Sequence, residues 1–142
     1  MGFPDRIERT VRVDRPLERV WDAITTAEGL GGWFGNKAEI DLRVGGTAKL
    51  DWDSGDSARL RIERLEPKTI FGYTWHIYGL PEHDPRRTYV EFTLTPDETG
   101  TTVTVVESGF AQLGPDDHDK AFAGNTKGWK LELDELVAYV HG

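Results

Sequence analysis

The side chain with the widest chemical scope in this sequence is Glu107. In the run from Val103 to Glu107 it falls, by alternation, on the same face as Val103 and Val105, so a carboxylate is directed to the apolar side of a strand. Three uses are open to it there. It can pair with Arg9, which shares a face with Ile7 and Val11, it can anchor a ligand, or it can act as a base. Tyr73, between Phe71 and Trp75 in the same alternation, brings a phenol to that side.

The other candidates for chemistry are weaker. His76, His83, His118 and His141 are scattered; His83 sits in PEHDP and His118 in PDDHD, and neither has the HExxH spacing of a zinc site. Both histidines are expected in solvated segments. Asp116, Asp117 and Asp119 around His118 suit the start of a helix better than a cation site. Ser108 lacks a G-x-S-x-G elbow, no phosphate-binding glycine loop occurs, and without any cysteine there is no thiolate ligand, disulfide or cysteine nucleophile. No metal and no cofactor is expected.

The elements that must position Glu107 and Tyr73 follow from periodicity. Ile7, Arg9, Val11 and Val13 share one face of a first strand. Leu17, Val20, Trp21 and Ile24 then recur at helical spacing after Pro16, and a short second helix is expected around residues 27 to 32. Period-two segments follow: Ala38, Ile40, Leu42 and Val44, with a turn at Gly45 and Gly46 into Ala48, Leu50 and Trp52; then Ala58, Leu60 and Ile62; Phe71, Tyr73, Trp75 and Ile77; Val90, Phe92 and Leu94; and Val103, Val105 and Glu107. From about Pro115 to Val140 the period changes, with Phe122, Trp129, Leu133, Leu136 and Val140 on one helical face. Gly124 and Gly128 make a smooth patch or a weak point on that helix. The pattern predicts an α+β domain, an antiparallel sheet closed by a long C-terminal helix.

Composition narrows the partners. At 142 residues a single domain spanning 1–142 is expected, and a net charge of -8, from 25 acidic against 17 basic residues, opposes nucleic acid and anionic membrane surfaces. No apolar run reaches the length of a membrane span, and a cytoplasmic protein is expected. The expected oligomeric state is a monomer or a weak homodimer.

Four stretches in order, PLERVWDAITTAEGLGGWF, the tryptophan of FGYTWH, VVESGF and GWKLELDELVAYV, resemble the family of heat-shock-protein-90 ATPase activator homologues, within the START-like or SRPBCC superfamily. The resemblance spans roughly residues 5 to 141. It implies a helix-grip fold, a curved antiparallel sheet wrapped around the C-terminal helix with an apolar cavity between them. Trp33 and Phe34, in LGGWFG, would then lie near one mouth of that cavity, either as a plug of the core or as a gate moving on its glycines. Trp52, Phe71, Tyr73, Trp75, Phe92, Phe110, Phe122, Trp129 and Leu133 would line it, with Glu107 or Tyr73 orienting a guest.

Three functions follow from the resemblance. The first and favoured one is binding of an apolar or aromatic small molecule. The second is contact with a chaperone, as in eukaryotic members of the family. The third is a cyclase-like or aromatase-like enzyme, as among START-like relatives, with Glu107 as the weak catalytic candidate.

Overall fold

The alternating segments of the sequence become seven strands: β1 (Arg6–Val13), β2 (Lys37–Ile40), β3 (Thr47–Asp51), β4 (Ser57–Glu66), β5 (Ile70–His76), β6 (Arg87–Pro96) and β7 (Thr101–Ser108). The structure is a computed structural model that describes residues 6–77, 80 and 84–141, with backbone only at Pro115 and Asp116; His83 and the side chain of Asp116 lie outside the described residues. All strand pairs are antiparallel, in the order β1-β7-β6-β5-β4-β3-β2. Three helices complete the chain, α1 (Leu17–Thr25), α2 (Ala27–Trp33) and α3 (Pro115–His141). This is the expected α+β, helix-grip-like architecture.

The register sets the inner face. Ile7 lies opposite Glu107, Glu107 opposite Val90, Val90 opposite Tyr73, and Tyr73 opposite Ile62. All five are buried, and they form one row across the sheet. The neighbouring row carries Phe71, Phe92 and Val105. On the other side of the core, α3 presents Trp129, Leu133, Leu136 and Val140 at intervals of four, three and four residues, one stripe of a 3.6-residue helix. A register shift between Ile62 and Arg64 interrupts the β4–β5 ladder, and such a bulge adds the local bend that a sheet curving round a helix needs.

Two of the expected strand faces are corrected. Arg9 is exposed although Ile7 and Val13 are buried; β1 is an edge strand, where a long side chain can leave the rim for water. Leu42 and Val44 do not continue β2, and they stand 41% and 60% exposed. The chain turns away after Ile40 because Gly45, at φ 84°, donates its N–H to the Ile62 carbonyl and Gly46 accepts from the Ile62 N–H, which folds the connection over β4.

The glycines of α2 permit close approach of neighbouring elements. A side chain at Gly29 would come within 2.6 Å of the Ala23 backbone, and one at Gly32 within 2.3 Å of the Tyr139 ring. They allow α2 to press against α1 and α3. Thr26 joins the two short helices, donating its hydroxyl to the Asp22 carbonyl at 2.7 Å and accepting the Gly29 N–H at 3.0 Å. Leu30 to Trp33 of LGGWFG therefore lie in a capped, closely packed helix, with Phe34 as its C-cap.

Candidate functional site

The carboxylate of Glu107 is completely buried, and it is held by four donors. Oε1 accepts from Asn125 Nδ2 and Trp129 Nε1, each at 2.9 Å; Oε2 accepts from Trp75 Nε1 at 2.8 Å and from the Thr88 hydroxyl at 2.5 Å. A carboxylate has about four lone-pair positions, and all are taken. The donors come from β5, β6 and α3, so the side chain ties the middle of α3 to the sheet. None of the four is charged. The expected alternative of a pair with Arg9 is replaced by this set, since Arg9 stands opposite Val105 and is exposed.

Asn125 and Thr88 were not singled out from the sequence. Each carried a signal: Asn125 is four residues before Trp129 on the same helical face, where an amide is a poor helix former, and Thr88 is two residues from Val90 on the buried face of β6.

Above this carboxylate lies a continuous aromatic cluster. Trp75 and Trp129 stack with centroids 5.7 Å apart and planes 27° from parallel. Phe34 is 5.7 Å from each of them, 6.3 Å from Trp52 and 4.9 Å from Trp33. Phe92 meets Trp33, Trp129, Phe71 and Tyr73, and Tyr73 meets Trp75. Trp33 is tethered by its N–H to the Ala23 carbonyl at 2.7 Å, and half-buried Trp52 by its N–H to the Phe34 carbonyl at 2.9 Å. Phe34 and Phe92 are the two hubs of the cluster, and Phe34 is the one packed between Trp33, Trp52, Trp75 and Trp129.

The remaining candidates group elsewhere. Phe110 and half-buried Phe122 pack edge to face at 5.4 Å and enclose His118, whose ring stacks on Phe122 at 5.3 Å. His118 is thus buried on α3, a correction to its expected place in solvent; a ring with two aromatic neighbours gains more from packing than from water. Leu133 is buried on α3 one turn beyond Trp129. His141 is exposed and accepts the Asp14 N–H at 3.2 Å.

Among the described residues, the Tyr73 hydroxyl, His76 Nδ1 and Glu132 Oε2 are buried without a hydrogen-bond partner. The Tyr73 hydroxyl is fully buried and unpaired, and burial, then the charges of Glu107 and Glu132, push its pKa well above that of an ordinary phenol. Glu132 Oε2, on the α3 turn after Trp129, is also buried and unpaired. Burial, reinforced by Glu135, pushes the Glu132 carboxyl up to about 8. Glu132 too was missed, because its place in KLELDEL reads as a solvated helix face.

Two depressions open on the outer surface, one of about 450 Å³ between Asp14–Glu18 and Pro96–Gly100, the other of about 390 Å³ around Ile40, Lys49 and Arg59. Neither is lined by the aromatic cluster. Among the described residues no group of three or more His, Asp or Glu side chains is placed to hold a metal, and no helix is long and apolar enough to cross a membrane.

Known structures share this fold. The protein MLL2253 of Mesorhizobium loti is 27% identical, with 96% of each chain covered and a TM-score of 0.81. CalU16 of Micromonospora echinospora is 26% identical over 95% of this chain and 75% of its own, with a TM-score of 0.73. The Aha1 protein of Colwellia psychrerythraea, solved in solution as a dimer, is 22% identical over 92% of each chain, with a TM-score of 0.72, and shares the fold. No curated protein matches the chain. The family model described as activator of Hsp90 ATPase homolog 1-like protein matches residues 14–141, and the chain belongs to that family, within the SRPBCC superfamily.

Proposed function

We propose that this protein binds a small aromatic or apolar molecule between the sheet and α3, in the space now filled by the ring of Phe34. The observation that carries this reading is the Tyr73 hydroxyl, fully buried among aromatic rings and without a partner. An unpaired buried hydroxyl costs about 1–3 kcal/mol. A guest that hydrogen-bonds to it recovers that cost, and the surrounding rings supply the apolar contact. Phe34 is the movable part in this reading, since Trp33 is tethered and α2 is closely packed. Glu107 holds the wall behind the guest. With its lone pairs occupied, no acid-base step is assigned to it.

The test is a thermal-shift screen of the purified protein against fatty acids, sterols, flavonoids and small aromatics, with native mass spectrometry for co-purified guests. A ligand at 100 times its dissociation constant adds about 2.7 kcal/mol, enough to raise the melting temperature by several degrees. A class-selective rise supports the reading. The absence of a rise with every class removes it.

A second reading is contact with a chaperone of the Hsp90 class, favoured by the exposed Leu42 and Val44 at one loop and by the description of the family. It predicts that the protein raises ATP hydrolysis by such a chaperone and that Val44→Asp abolishes the effect. Unchanged hydrolysis with the unaltered protein removes this reading.

A further inference from the structure

Resting on the small-molecule reading, the interior can be asked which charge it suits. The only fully buried carboxylate, among the described residues, has four neutral donors and no Lys or Arg partner. Its negative charge is solvated by hydrogen bonds but not neutralised. Two of those donors are the indole N–H groups of Trp75 and Trp129. A proton shared with a carboxylate leaves more electron density on each ring face, and ring faces already attract cations. Among the buried polar atoms without partners, the Tyr73 hydroxyl oxygen, Glu132 Oε2 and, in one tautomer, His76 Nδ1 can accept hydrogen bonds. An ammonium offers three donors and no acceptor. The unneutralised charge of Glu107 and the acceptors at Tyr73 and Glu132 complement a cation, and the aromatic walls complement a ring.

We infer that the guest is an aromatic amine in its protonated form, its ring taking the place of Phe34 against Trp75 and Trp129 and its ammonium donating to the Tyr73 hydroxyl and to the Glu132 carboxyl oxygen. An anionic ligand such as a fatty acid would instead bring its charge beside the buried Glu107. A neutral ligand would leave the buried charge as it is.

The experiment is calorimetric titration of the full chain at neutral pH with three probes of one shape: tryptamine, its neutral isostere 3-propylindole, and indole-3-propionate. Tryptamine is expected to bind about tenfold more tightly than 3-propylindole, and indole-3-propionate more weakly than either. Glu132→Gln and Tyr73→Phe, each checked for folding by circular dichroism, should weaken tryptamine more than 3-propylindole and so reduce the preference for the amine. Equal or tighter binding of 3-propylindole or the acid overturns the inference and leaves the small-molecule reading intact. A preference for tryptamine that survives both variants overturns the assigned contacts. Failure of all three probes to bind overturns the inference. The small-molecule reading then stands or falls on the broader screen.

Discussion

The indole N–H of Trp129 and the carboxylate of Glu107 meet at 2.9 Å across the interface between α3 and β7. Three further donors share that carboxylate, and its removal strands Asn125 and Trp129 at once, while the Trp75 N–H keeps the Thr88 hydroxyl at 3.1 Å. Glu107→Leu is expected to cost at least about 2 kcal/mol, since each buried unsatisfied donor costs about 1–3. Glu107→Gln, which keeps one acceptor oxygen, should cost less. Urea denaturation measures both, and a loss below about 1 kcal/mol for the leucine variant would show that the four bonds add little.

The glycines divide into two groups with opposite expected effects. Gly29→Ala puts a methyl 2.6 Å from backbone atoms of Ala23, which cannot move without displacing α1, and this variant should be destabilised. Gly128→Ala meets nothing within 4 Å and sits inside α3, so it should stabilise the protein by about 1 kcal/mol through helix propensity. Melting temperatures that move in the same direction for both would contradict the packing described.

Phe34→Ala empties the centre of the aromatic cluster, at a cost of about 3–5 kcal/mol. Added indole, which fits the vacated space, should then restore part of the lost stability, because an apolar cavity takes up an apolar guest. Trp33→Ala should lose stability with less rescue, for its indole is also fixed by a hydrogen bond to Ala23. Equal rescue of the two variants would deny Phe34 its special place.

Glu132 makes stability depend on pH. Its carboxyl is raised in the folded protein from 4.5 to about 8, so the folded state holds a proton that the unfolded chain has released. The contribution is fully present below about pH 4.5 and is lost as pH rises toward 8. Glu132→Gln should flatten that decline and be the more stable form at pH 8. Parallel stability curves for the variant and the unaltered protein would sink the prediction.

How much of this was legible in the sequence depended on whether the signal was local. Alternation located the strands, and the change of period located α3, because one buried face dictates spacing. Glu107 was found the same way, as a charge on an apolar face. Its partners were not, since Thr88 and Asn125 are brought to it only by strand register and helix docking. Arg9 and Val44 misled because alternation says which side a residue takes but not whether anything covers that side. LGGWFG was open to reading as a plug or as a gate because the neighbours of its glycines, Ala38, Tyr139 and Asp51, are contacts that only tertiary packing creates.

The stacked indoles of Trp75 and Trp129 also give the protein an internal optical reporter. Two such chromophores 5.7 Å apart couple their electronic transitions, and the pair should produce an exciton couplet in far-ultraviolet circular dichroism that Trp21, Trp33 and Trp52 do not. Trp129→Phe should erase the couplet while the helical signal remains. A guest seated against the two rings would change its amplitude, so occupancy of the interior can be followed without a label.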